Sequence, residues 1–140
     1  MFVLDTNVVS EFMQERPHPS VLLWLDNRLE RDLFVTAVTQ AEVLTGLAIM
    51  PEGQRREGLA AAADRAFNGV FADRVLPFDR SAAHAYARIT AARRRAGRPI
   101  AQADCQIAAI AVARGGTVVT RNVRDYEAID ITVVNPWESR

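Results

Sequence analysis

Apolar residues at 2–4, FVL, run without a break straight into Asp5. A continuous apolar triplet of this kind is what a parallel strand buried on both faces requires. The same signature returns at LFV (33–35), VLPF (75–78), TVVT (117–120) and ITVV (131–134). Between these runs the apolar spacing changes to that of helices. Residues 7–14 read as a short helix that ends before Pro17, whose ring cannot continue it. The stretch VLLWLDNRL (21–29) is apolar at 21, 22, 25 and 29, and TQAEVLTGLAIM (39–50) is stopped by Pro51 and Gly53. An Ala-rich helix is predicted over 53–71, another over 80–96 closed by GRP (97–99), and a last one over 100–114 closed by Gly115-Gly116. Strands alternating with helices predict an α/β domain with a mostly parallel central sheet. Ligands of such sheets bind beyond the carboxyl ends of the strands. Asp5 stands at such an end.

Composition narrows the class. At 140 residues, 49% hydrophobic and 24% charged, with no repeat or linker, the chain is expected to form a single domain over 1–140. No apolar run reaches the ~18–20 residues of a membrane span, and the N-terminus does not read as a signal peptide. A lone cysteine, Cys105, forms no internal disulfide, which fits a cytoplasmic protein. Basic and acidic residues balance at 17 each, and every basic residue is Arg.

Four other polar positions share Asp5's setting. Glu42 is expected in the first turn of the helix after the second strand, and Asp104 in the first turn or so of the helix over 100–114. Asn122 follows TVVT, and Asp125 comes three residues later. Each also has a plain structural reading. Asp5 suits a helix N-cap, and Thr39-Gln-Ala-Glu42 matches a capping box. Asp104 suits the positive end of its helix, Asn122 suits a turn, and Asp125 a solvated surface. Brought to one edge, however, the carboxylates would repel one another, and burial would raise their pKa values. A cation between them relieves both penalties. Hard carboxylate oxygens favour Mg²⁺, with Mn²⁺ as a substitute. With His18 and His84 the only histidines, and one cysteine, an N/S zinc site is not expected.

The segments LDTNVVSEF, TAVTQAEVLTGLA, IAQADCQIAAIA, TVVTRNVRDY and VVNPW, in this order over essentially the full length, resemble PIN-domain ribonucleases. The resemblance is to VapC-type toxins of toxin–antitoxin pairs, with FitB-like members nearest. It implies a three-layer α/β/α PIN domain and a Mg²⁺-dependent endoribonuclease toxin that hydrolyses RNA by metal-activated water. Residues at the positions of Asp5, Glu42 and Asp104 form the nuclease site in that family. The metal is assigned to Asp5 and Asp104, with Glu42 binding it or orienting water and Asn122 assisting. The fourth family position, often acidic, falls on Asn122, with Asp125 as the alternative. The resemblance further implies a small DNA-binding antitoxin as partner and a homodimer within a larger toxin–antitoxin assembly.

Rival chemistries lack their residues. Haloacid-dehalogenase phosphatases need an aspartate where Asn7 stands, response-regulator receivers need a lysine, and a dinucleotide site needs G-x-G-x-x-G. The surviving alternative is a catalytically silent PIN-like binding module. Elsewhere, five arginines between 88 and 98 (88, 93, 94, 95 and 98) fit either an RNA backbone contact or a solvated helix face. Trp24, Trp137 and Cys105 read as packing residues. Val8, Val9, Phe12, Leu22 and Leu25 exceed what one small core requires, so some are expected to form a partner groove or a dimer face.

Overall fold

The structure is a computed structural model and describes residues 1–138. Five parallel strands form one sheet in the order β3-β2-β1-β4-β5: β1 (Phe2–Leu4), β2 (Leu33–Thr36), β3 (Val75–Leu76), β4 (Thr117–Val119) and β5 (Val133–Val134). Six α-helices accompany it: α1 (Thr6–Phe12), α2 (Pro19–Asp26), α3 (Ala37–Ile49), α4 (Gln54–Arg65), α5 (Arg80–Arg95) and α6 (Gln102–Arg114). The result is a three-layer α/β/α sandwich.

Strand alternation accounts for the three layers, because successive side chains point to opposite faces. Val3 and Val118 enter one core with Ile89 of α5 and with Ile107 and Ile110 of α6. Their neighbours Leu4 and Val119 enter the other core, with Val8, Val9, Val21, Trp24 and Phe67. Every expected strand and helix is present, with shifted ends. α3 begins two residues earlier than expected, because Thr36 caps it by accepting the Thr39 N–H at 3.0 Å. The predicted capping box at Thr39–Glu42 therefore does not form, and Glu42 lies in the second turn. The Ala-rich helix also ends early: α4 passes into a π-helical turn, Ala66–Val70, where the Phe71 N–H bonds the Ala66 carbonyl. α2 starts with a cap that the sequence reading left without a role, His18 Nδ1 accepting the Ser20 N–H at 3.1 Å. α6 stops at Gly115, whose φ of +66° suits glycine.

Of the apolar surplus of the early helices, Val8, Val9, Phe12 and Leu25 pack in or against this second core, while Leu22 is half-buried outside it. Val8 and Val9 are fully buried, and Phe12 packs edge-on against Phe71. The exposed large apolar residues are different ones, among them Leu23, Leu44 and Ile49. Trp24 is buried edge-on to Phe2 under the Arg28 guanidinium, and Cys105 is buried, as the sequence suggested. No helix among the described residues is long and apolar enough to cross a membrane.

From β1 the chain adds β2 and β3 to one side, then returns to place β4 and β5 on the other. The direction of growth reverses between β1 and β4, and a crevice opens there beyond the strand ends.

Candidate functional site

Asp5 leaves β1 at that crevice and is 3% exposed. Its backbone N–H donates to the Val119 carbonyl (2.9 Å), which ties it to β4. The Asp5 Oδ1 accepts the Thr6 N–H at 2.8 Å, so the residue is a helix cap. It is more than a cap, because Oδ2 accepts from Thr120 Oγ1 (2.7 Å) and from Asn7 Nδ2 (3.2 Å). Three donors fix the carboxylate and leave about one of its roughly four acceptor directions open.

A small polar network holds those donors in turn. Thr120 Oγ1 accepts from Asn7 Nδ2 (3.1 Å) and from the Asn122 N–H (3.0 Å), so its own proton is committed to Asp5. Asn7 Oδ1 accepts the Arg121 N–H at 3.1 Å. On the other flank Thr6 Oγ1 donates to Glu42 Oε1 at 2.7 Å. Because Thr6 gives its proton to that carboxylate, the 2.9 Å contact between Thr6 Oγ1 and Thr39 Oγ1 must run from Thr39 to Thr6. Glu42 is exposed, and grooves open on either side of α3 beside it. One, of about 670 Å³, is lined by Ala41, Gly46, Ala103 and Gln106, and the other, of about 200 Å³, by Thr6, Ser10 and Leu47.

Asp104 sits in the first turn of α6, half-buried. Burial, then the charges of Asp5, Asp125 and Glu42, push its carboxyl up to about 6, against a smaller opposing pull from Arg93. The fields of Asp5, Asp125 and Glu42 therefore all reach Asp104. Asn122 lies at the rim, with an exposed side chain and only its backbone N–H bonded inward. The site is loose nonetheless: among the described residues no three acids, histidines or cysteines stand close enough to hold one metal ion together.

Three residues that the sequence reading assigned otherwise, or passed over, complete the site. Thr120 reads in the sequence as the last residue of a strand, and Asn7 as the first of a helix. Arg93, counted among the arginines expected at a surface, is buried. Its guanidinium donates to the carbonyls of Arg98 (2.5 Å), Asp125 (2.7 Å) and Glu127 (3.0 Å). It therefore fastens the segment after β4 to α5. Arg98 pairs with Glu127 at 2.6 Å, leaving Arg88, Arg94 and Arg95 exposed. Position 93 was legible, since it continues the buried stripe Ala82, Ala85, Ile89 of α5.

The whole arrangement has known counterparts. The chain matches the PIN domain family over residues 2–131. It is 42% identical to VapC ribonuclease Y4jK of Sinorhizobium fredii, covering 99% of each chain. It is 38% identical to Toxin FitB of Neisseria gonorrhoeae, over 98% of this chain and 99% of that one. The solved structure of FitAB bound to an IR36 DNA fragment superposes with a TM-score of 0.91 at 37% identity, covering 100% of this chain and 98% of its counterpart.

Proposed function

The chain belongs to the PIN domain family, on its VapC-type, FitB-like branch, and from that premise we propose that it is a Mg²⁺-dependent endoribonuclease toxin, with Mn²⁺ as a substitute metal. The observation that carries this reading is that burial, and then the charges of Asp5, Asp125 and Glu42, meet at Asp104 and raise its carboxyl. Hard oxygen donors repelling one another at a crevice fit a hard divalent cation. Asp5 and Asp104 would hold the ion, one prefixed by its three hydrogen bonds and the other free to close. When bound, the ion would make a water more acidic and offset charge on the phosphoryl oxygens during hydrolysis. Glu42, oriented by Thr6, would accept a proton from the attacking water or bind through water, and Asn122 at the rim would help position it. The grooves beside α3 give an RNA strand access to Glu42.

The looseness of the acids favours a second reading, a silent binding module whose carboxylates only cap and hydrogen-bond. One experiment separates the two. Asp5→Asn and Asp104→Asn should each abolish Mg²⁺-dependent RNA cleavage without unfolding the protein, and excess EDTA should do the same. Cleavage that survives any of these treatments rules out the metal-site assignment.

Partners follow from the same chemistry. The likeness to a toxin and to FitAB on DNA supports a small DNA-binding antitoxin as partner, and we propose that toxin homodimers assemble with it. An Arg or Lys from that partner would plug the acidic crevice through charge-assisted hydrogen bonds. The purified complex should be inactive on RNA, and stripping the partner should restore cleavage. A complex structure that leaves Asp5, Glu42 and Asp104 open to solvent would refute the plug.

A further inference from the structure

Directly under the acids lies a hydroxyl with nothing to bond. Tyr126 is 1% exposed and packs in the core that holds Val3, Ile107 and Val118, yet its Oη has no hydrogen-bond partner among the described residues. Buried hydroxyls are almost always paired, because leaving water without a new partner is costly. The ring cannot swing away to find one. Arg93 donates to the carbonyls of Asp125 and Glu127, the residues immediately before and after Tyr126, and so pins its backbone on both sides. The ring packs in one core with Ile107 and Ala108 of α6, one turn beyond Asp104 on the same helix.

Asp5 and Asp104 are the carboxylates whose charges the phenol feels most strongly. Asp5 lies close enough to the phenol to act on its proton, but no full hydrogen bond forms between them, and its Oδ2 already takes two donors. Asp104 is the reverse case: no donor among the described residues supports its carboxylate. A donor without an acceptor and an acceptor without a donor therefore lie within one crevice. We propose that Tyr126 is a positioning residue whose O–H bonds the Asp104 carboxylate when that side chain closes on the divalent cation. The inference rests on the metal-nuclease reading and adds a support for one of its ligands. Such supports fix the orientation of a ligating carboxylate and strengthen the site.

Tyr126→Phe keeps the ring and removes only the hydroxyl. In calorimetric titration the variant should bind Mn²⁺ about tenfold more weakly than wild type. The metal-free Tyr126→Phe variant should melt no lower than wild type, because the hydroxyl has no partner to lose in that state. Its kcat on RNA should fall while KM for RNA stays the same. Unchanged Mn²⁺ affinity would overturn the inference, as would weaker affinity accompanied by a lower metal-free melting temperature, which marks a merely structural role. Wild-type protein that neither binds Mn²⁺ nor cleaves RNA would overturn the nuclease reading itself, and this inference with it.

Discussion

Asp5 and Asp104 respond to charge removal in opposite ways because their surroundings differ. Asp5 takes three hydrogen bonds and caps α1. Its amide would set donor against donor, so Asp5→Asn should lower metal-free stability by about 1–2 kcal/mol in urea unfolding. Asp104 takes none and is held protonated up to about pH 6. Its native pKa exceeds its unfolded value of 3.8, so between these values the native state binds more proton. The stability it contributes is fully present below about pH 4 and is lost as pH rises through 6. Metal-free Asp104→Asn should therefore gain in melting temperature over wild type at about pH 8 and lose that advantage by about pH 4. Mn²⁺ affinity of the wild type should rise across the same interval, since the ion needs the ionised carboxyl. A flat difference between the two proteins across that interval would remove the burial and repulsion assigned to Asp104. The placement of Asp5 and Asp104 was legible, because Asp5 follows an apolar run recognisable as a strand and Asp104 starts a helix. Thr6, Thr120 and Asn7 were not, because a polar residue at a strand end looks the same in sequence whether it faces solvent or, like Thr120, a carboxylate 115 residues away.

Among the elements, the segment between β4 and β5 depends most on one distant side chain. It carries Asn122, Asp125 and Tyr126 and has only a short 3-10 turn, Val123–Tyr126, of its own. Arg93 of α5 supplies the missing anchorage. Arg93→Met should cost on the order of 3 kcal/mol, because the charge-assisted bonds from one buried guanidinium to three backbone carbonyls are lost together. Arg94→Gln and Arg95→Gln, on the exposed side of the same helix, should leave stability within about 0.5 kcal/mol of wild type. Equal unfolding midpoints for all three would show that the clamp contributes nothing. The run of arginines looked uniform as composition and divides sharply in the fold. Helix phase, read from Ala82, Ala85 and Ile89, decides which one turns inward. The helix boundaries were misread for a related reason: Thr36 and Thr39 are both able caps, and only the end of β2 selects the first.

At the scale of the whole molecule, the parallel sheet and its reversal between β1 and β4 bring the acids to one edge. That architecture followed from the sequence because apolar triplets and helical spacing alternate throughout the chain. The degree of closure of the site did not, since it depends on carboxylate positions to within an ångström or so. A divalent ion that binds only the folded chain should raise its melting temperature by mass action, with about 2.7 kcal/mol gained at a hundredfold excess over Kd. Asp104→Asn should blunt that response, and an identical shift in the variant would place the ion elsewhere.

The bond from Thr120 to Asp5 also has a consequence in time. Synthesis makes Asp5 well before the strand that leads to Thr120 and the turn with Asp125 and Tyr126. A nascent chain that has emerged only as far as Gly116 has its first carboxylate, its Glu42 and its Asp104, but no β4 to set them against. Such a chain should be harmless to the ribosome making it. Ribosome-bound chains arrested at that length should leave added RNA intact, and the released full-length protein should cut it. The proposed nuclease site would thus be assembled only once β4 has emerged.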